Sequence, residues 1–139
     1  MPRILVALDD SCGSEKALEA AVKLAQQNDG RLAAVSVLED LGIPCPDQLT
    51  EEVKVQARRR LEELLQAAAN FARSRGVHLT PILREGHPAS AILACAEEER
   101  ADLLVLGANR QDGDAGLGGT ADQVSDHCPC SVLIARHAA

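Results

Sequence analysis

Five short apolar runs alternate along this chain with four stretches in which apolar residues recur every three or four positions. Short runs that are apolar throughout are typical of strands buried on both faces of a sheet. The stretches between them have the periodicity of helices with one buried face. Strands that alternate with helices form parallel sheets, because each helix returns the chain to the same edge. The predicted strands are residues 3–8, 32–38, 77–83, 103–106 and 132–135, and the predicted helices begin near Ser14, Thr50, Pro88 and Thr120.

The third predicted strand contains Pro81, which has no backbone N–H to donate to a ladder. Proline in a sheet is therefore confined to edge strands. Right-handed crossovers with the third strand at an edge leave the strand order 3-2-1-4-5. We expect residues 1–139 to form one α/β domain, a doubly wound five-stranded parallel sheet with helices on both faces, which is a Rossmann-like fold.

The reversal of strand order predicts where a ligand would bind. In doubly wound sheets the site lies beyond the carboxyl ends of the strands, at the point where the order reverses. Here that point falls between the first and fourth strands. Asp9 follows the first of them and Gly107 follows the fourth, so we expect these two residues to face each other across one crevice.

A glycine-rich loop separates the fourth strand from the fourth helix. Thr120, followed three residues later by Gln123, is a capping-box signature and predicts that this helix begins at Thr120. Backbone N–H groups exposed at a glycine-rich helix start bind anions, so the segment predicts a phosphate site. Its glycines are Gly113, Gly116, Gly118 and Gly119.

Charge and aromatic content argue against nucleic acid or a membrane surface as a partner. The net charge is −7, and the chain has one Phe and neither Tyr nor Trp. Nucleic-acid binding needs clustered cations, and single-strand binders also need aromatic stacking platforms. The odd number of cysteines, five, does not indicate a disulfide framework. We expect a cytoplasmic protein with reduced thiols.

Five segments in this order and spacing resemble the universal stress protein family: RILVALDDS, LAAVSVLED, ILREGHPASAIL, ADLLVLG and PCSVLIAR. The resemblance covers nearly the whole chain. It implies the α/β fold reached above, of the adenine nucleotide alpha hydrolase-like kind, and a role in the stress response. It also implies a homodimer paired through the last strand, at Val132, Leu133, Ile134 and Ala135.

Many members of that family bind ATP or AMP through G-x-x-G, nine further residues and G-[ST]. In this chain Gly107 matches the first glycine, whereas Arg110 stands where the second is expected. The closing pair is either Gly119-Thr120, matched by letters, or Gly118-Gly119, matched by the distance to Pro129. Asp9 matches the family's adenosine-contacting position, Ala7 a position often held by proline or a small residue, and Val37 the apolar residue beside the base. The resemblance thus implies a nucleotide site at Ala7, Asp9, Val37, Gly107, Arg110, Gly118, Gly119 and Thr120.

The phosphate half of this implied site is altered. Arg110 adds bulk where glycine would let phosphate approach the backbone, although its guanidinium binds phosphate well. Asp112 and Asp114 repel phosphate unless Mg²⁺ lies between them. Two hypotheses follow: a regulatory dimer that binds ATP or AMP, with or without Mg²⁺, and a nucleotide-free dimeric module that binds an unidentified protein partner.

Other chemistry is less well supported by the residues. Asp9-Asp10 resembles the acidic pair of phosphorylation receiver domains, but the third and fifth strands end in Arg84-Glu85 and Arg136 rather than the Asp and Lys of a receiver. His127-Cys128-Pro129-Cys130 could be a metal cluster or a redox pair, but it lacks the spacing of a zinc site. We therefore interpret Cys130 as a small apolar residue and predict neither metal binding nor redox chemistry there.

The sequence also predicts little or no enzymatic activity. His87 is interpreted as a polar residue at a helix start, not as a base, and the glycine loop has no lysine. With no catalytic residues identified, we expect at most slow ATP hydrolysis.

Overall fold

The computed structural model describes residues 2–9, 12–39, 48–108 and 119–136. Its five strands form one parallel sheet in the order β3-β2-β1-β4-β5, which confirms the predicted topology. The elements are β1 (Arg3–Ala7), α1 (Cys12–Asn28), β2 (Arg31–Glu39), α2 (Gln48–Ser74), β3 (Leu79–Gly86), α3 (Pro88–Glu98), β4 (Leu103–Ala108), α4 (Gly119–His127) and β5 (Ser131–Arg136).

Pro81 lies on β3 at one edge of the sheet, in register with Ala34 of β2. The prediction that a proline-containing strand must be an edge strand is therefore confirmed. The opposite edge is β5, which pairs with β4 from Leu103↔Ser131 to Ala108↔Arg136. The centre of the sheet is β1, which pairs with both β2 and β4.

The predicted start of β3 at residue 77 is wrong by two positions, because Val77 takes part in ending α2. Its N–H donates to the carbonyl of Ala72 at 2.9 Å, and Gly76 adopts a left-handed conformation with φ of 77°. Such a helix end consumes the N–H groups of the residues that follow it. The strand consequently begins at Leu79 and continues to Gly86.

The end of α1 places a residue other than glycine in the left-handed region. Asp29 takes that conformation, with φ of 51°, although Gly30 follows it. Gly30 is needed for space instead, since a Cβ there would lie 3.0 Å from the carbonyl oxygen of Pro2. The close approach lets the Arg31 N–H donate to that same oxygen at 2.8 Å, which begins the pairing of β1 and β2.

Alternate residues of the buried strands face two separate cores. On one face α1 and α2 cover the sheet, and on the other α3 and α4 do. Helices therefore lie on both faces, as predicted. The first core includes Ile4, Val6, Ala21, Val22, Leu65 and Ala68; the second includes Leu5, Val35, Ile92, Cys95, Leu104 and Val124.

Among the helices that the structure describes, none combines the length and apolar character needed to cross a membrane.

Candidate functional site

The carboxyl ends of β1 and β4 diverge at the point where the topology predicts a crevice. Their pairing extends to Val6↔Val105. Beyond that point the Leu8 N–H donates to the Val35 carbonyl of β2, while β4 stays paired with β5 through Ala108. The two central strands thus pair with different neighbours at this edge, where Asp9 lies just beyond β1 and Gly107 is the last but one residue of β4.

A hydroxyl from α1 fixes Asp9 at the edge of the crevice. The Ser14 Oγ accepts a hydrogen bond from the Asp9 N–H at 2.7 Å and donates one to Asp9 Oδ1 at 2.9 Å. Ser14 is only 7% exposed, whereas Asp9 is exposed. The first turn of α1 therefore orients both the backbone and the carboxylate of Asp9.

The first turn of α1 also presses against the end of β4. A Cβ placed on Gly107 would overlap the backbone carbonyl group of Gly13, which is itself buried. This contact brings the Asp9 side of the crevice and the β4 side together. It also gives Gly107 a structural reason to be glycine, independent of any bound ligand.

Sequence reasoning missed both Gly13 and Ser14. The signal that was present is a glycine and a hydroxyl at the predicted start of a helix, directly after an acidic strand end. Small and hydroxyl residues are common at such positions for local reasons. Only the packing of α1 against β4 shows that Gly13 contacts Gly107.

Ala7 and Val37 lie on neighbouring strands and on the same face of the sheet. Ala7 is in register with Val35, and both Ala7 and Val37 are half-buried against the core that α3 and α4 cover. Next to Val37, the buried Ser36 hydroxyl donates to the Leu8 carbonyl at 2.9 Å. That hydrogen bond ties the end of β1 to β2 and sets the position of Ala7 and Asp9 relative to Val37.

The described part of the phosphate segment begins at α4. This helix starts at Gly119, so Thr120 lies within its first turn rather than at the cap position that the capping-box signature predicted. Arg110 and Gly118 lie outside the described residues, as do Asp112 and Asp114.

His87 is the residue before α3, with an extended conformation and an exposed side chain that forms no capping hydrogen bond. Its position at a helix start agrees with the interpretation made from the sequence.

Two further features lie at the amino-terminal ends of the strands, on the side of the sheet opposite Asp9. One is a cavity of about 260 Å³ whose lining includes Arg3, Arg31, Thr80, Glu98 and Glu99. The other is the pair Cys128 and Cys130, whose sulfur atoms are 3.4 Å apart. Within the described ranges, no three His, Cys, Asp or Glu side chains are grouped so that they could hold a metal ion. Neither feature contributes to the crevice at Asp9.

Comparison with known proteins places these features in a family. The family model described as "Universal stress protein family" matches residues 1–136. The chain is 33% identical to the universal stress protein YxiE of Bacillus subtilis over 145 residues, covering 96% of this chain and 98% of the relative. It is 37% identical to a universal stress protein of Thermus aquaticus over 138 residues, covering 96% and 97% of the two chains.

Solved structures show the same likeness. Universal stress protein UspA from Lactobacillus plantarum superposes with a TM-score of 0.88 at 27% identity, over 97% of each chain. A universal stress protein family protein from Arabidopsis thaliana, solved with AMP bound, has a TM-score of 0.78 at 19% identity. It covers 100% of this chain and 94% of its own. A universal stress protein in complex with cAMP has a TM-score of 0.73 at 21% identity, over 99% and 98% of the chains. At these lower identities the likeness shows the shared fold.

Proposed function

Because this chain belongs to the universal stress protein family, we propose that it binds an adenine nucleotide, ATP or AMP, in the crevice between β1 and β4. In this proposal the protein is a stress-response module that acts as a regulatory homodimer, and nucleotide occupancy alters the surface that a protein partner recognises. The observation that carries the proposal is the placement of Asp9: Ser14 holds its carboxylate just beyond β1, and the neighbouring Gly13 packs against Gly107 of β4.

The nucleoside would bind where Ala7, Asp9 and Val37 meet. Ala7 and Val37 are half-buried residues at the carboxyl ends of adjacent strands, so they offer a short apolar surface for an adenine ring. The Asp9 carboxylate can accept hydrogen bonds from ribose hydroxyl groups, as an acidic residue near a strand end does in other nucleotide-binding sheets. AMP and cAMP complexes among proteins of this fold support the choice of ligand.

The phosphates would extend toward the start of α4. Gly119 and Thr120 begin that helix, where backbone N–H groups and the helix dipole favour an anion. Arg110 and Gly118 belong to the preceding loop by sequence, and Arg110 supplies a guanidinium for phosphate. Mg²⁺ would offset the charge of Asp112 and Asp114. No residue is assigned a catalytic role, so hydrolysis of ATP would be slow at most.

Isothermal titration calorimetry with ATP and with AMP, each with and without Mg²⁺, tests the proposal directly. We expect saturable heat for at least one nucleotide, and adenine nucleotide in the supernatant of the denatured purified protein. An absence of both, with nucleotide at millimolar concentration, would contradict nucleotide binding.

A pair of variants tests the location of the site. Asp9→Asn removes the negative charge at the crevice and should weaken binding several-fold. Asp102→Asn removes a carboxylate that accepts from the Arg3 N–H at the opposite edge of the same sheet and should leave the affinity unchanged. Equal effects of the two substitutions would place the nucleotide elsewhere.

The second candidate function is a nucleotide-free dimeric interaction module. The packing of Gly13 on Gly107 favours it, because this packing explains the first motif glycine without any phosphate, and Arg110 replaces the second. In either function the dimer would form through the open edge of β5, where Leu133 is 38% exposed. A protein that dimerises but gives no nucleotide heat would support this second candidate.

A further inference from the structure

Two cysteine sulfurs are in contact near the amino-terminal ends of the strands, whereas the proposed nucleotide site lies at their carboxyl ends. Cys128 and Cys130 lie in the short connection between α4, which ends at His127, and β5, which begins at Ser131. Their Sγ atoms are 3.4 Å apart and share a hydrogen bond. Since Ser131 is in register with Leu103 at the start of β4, the pair is remote from Asp9 and Gly107.

The two thiols differ from an ordinary exposed pair in their surroundings. Both side chains are half-buried against the core that α3 and α4 cover. Burial, together with the hydrogen bond to Cys128 and the nearby charges of Cys128 and Asp102, raises the pKa of Cys130 to about 11. Cys130 therefore keeps its proton at neutral pH.

We propose that Cys128 and Cys130 are a redox modification site that forms a reversible intrachain disulfide on reaction with hydrogen peroxide. The sulfurs need to approach by only about 1.4 Å to reach bonding distance, so oxidation requires a local adjustment of one connection. The proposal is independent of nucleotide binding, because it uses neither the crevice nor the glycine loop.

The reaction has two steps, and its atoms balance. The Cys128 thiolate attacks one oxygen of hydrogen peroxide; the S–O bond forms, the O–O bond breaks, and the departing hydroxide takes up a proton as water, leaving a sulfenic acid. Cys130 then attacks the Cys128 sulfur; the S–S bond forms, the S–O bond breaks, and hydroxide leaves with the Cys130 proton as a second water. Two thiols are oxidised by two electrons, and one peroxide is reduced to two waters.

The short sequence separation of the two cysteines should make the disulfide easy to reduce. Only Pro129 separates the two cysteines, and proline restricts the backbone of the ring that the disulfide would close. Disulfides forced into unfavourable geometry are more readily reduced than those of stable structural bridges. A dithiol such as dithiothreitol should therefore return the pair fully to the reduced state.

Peptide mass spectrometry tests the proposal on the intact folded protein. Trypsin cleavage after Arg110 and Arg136 releases peptide 111–136, which contains Cys128 and Cys130 and no other cysteine. The protein is treated with increasing hydrogen peroxide, then denatured, alkylated with iodoacetamide and digested. We expect peptide 111–136 to lose both alkylation sites together and to become two hydrogens lighter than the unmodified peptide, and dithiothreitol to restore both sites.

The same digest contains its own control. Cys95 lies alone in peptide 85–100 and its side chain is fully buried, so it should remain alkylated at peroxide concentrations that convert the pair. In the Cys130→Ser variant the reaction should stop at a Cys128 sulfenic acid, which dimedone traps, and neither single serine variant should yield the lighter peptide.

Three results would overturn the proposal. The first is peptide 111–136 carrying two alkyl groups when Cys95 is already oxidised. The second is a sulfinic acid in place of the disulfide. The third is a disulfide that joins two chains, seen as a covalent dimer on a non-reducing gel.

Discussion

The carbonyl group of Gly13 occupies the space that a side chain on Gly107 would need. This contact joins the start of α1 to the end of β4, the two elements that bound the candidate site. It means that substitutions at Gly107 act on packing as well as on any ligand, and that the two effects have to be measured separately.

We predict that Gly107→Ala destabilises the protein even without nucleotide. The added Cβ overlaps backbone atoms that cannot rotate away, and overpacking of this kind costs about 1–3 kcal/mol. Urea unfolding of the nucleotide-free protein measures it. Gly76→Asn is the control: Gly76 is left-handed at φ of 77°, with no atom within 4 Å of an added Cβ, and asparagine tolerates that conformation. A larger loss of stability from Gly76→Asn than from Gly107→Ala would contradict the packing explanation.

Ser14→Ala should lower both stability and nucleotide affinity. The variant loses the hydroxyl that accepts from the Asp9 N–H and donates to its carboxylate, and each such bond contributes about 1 kcal/mol. Without the hydroxyl the carboxylate loses its fixed orientation at the crevice. Urea unfolding and calorimetry measure the two effects. Ser90→Ala, at an exposed serine in the first turn of α3, should change neither by a measurable amount.

Leu133→Glu should convert the proposed dimer to a monomer. Leu133 lies on the edge strand β5 and is 38% exposed, so a carboxylate there would be desolvated in a β5-mediated interface. Multi-angle light scattering at micromolar concentration reports the mass. Val53→Glu, at a smaller and more exposed apolar side chain of α2 (60%), should leave the mass unchanged. A wild-type protein that is already monomeric would refute the interface.

The free energy of unfolding should fall as the pH rises from about 9 to 11 through a contribution from Cys130. Burial raises the pKa of this thiol from 9.0 to about 11 in the folded protein. The protonated thiol is thus favoured by folding, and this stabilisation is complete below pH 9 and is lost as the pH passes through the raised pKa. Urea unfolding at several pH values measures the trend. The Cys130→Ala variant should show a shallower decline over that range, whereas a parallel decline would contradict the assignment.

The strand order, and with it the expected position of the crevice, could be predicted because individual residues restricted the possible arrangements of strands. Pro81 fixed the edge strand, and the reversal of strand order then brought Asp9 and Gly107 to adjacent strand ends. Residues whose roles depend on helix placement could not be found in this way. Nothing local in the sequence shows that Gly13 would pack against Gly107, because that contact depends on how α1 lies against β4.

Errors at element boundaries have a similar cause. Val77 is apolar and β-branched, so by propensity it belongs to a strand, yet its N–H is taken by the end of α2. Asp29 adopts the left-handed conformation beside Gly30, because Gly30 is needed where the chain passes close to Pro2. At Val77 the hydrogen bond to Ala72 that ends α2 outweighed the strand propensity, and at Gly30 a steric contact with the distant Pro2 is what requires glycine.

The two edge strands of the sheet, β3 and β5, differ in the backbone groups that they expose, and this difference limits how copies of the protein can assemble. On β3, Pro81 interrupts the row of backbone N–H donors. A strand from another molecule could therefore not form a continuous ladder of hydrogen bonds along that edge. In the described part of the sheet, the other edge strand, β5, carries no proline. If two copies pair through β5, as proposed, each exposes the interrupted β3 edge, and we expect further strand addition into a fibre to be disfavoured.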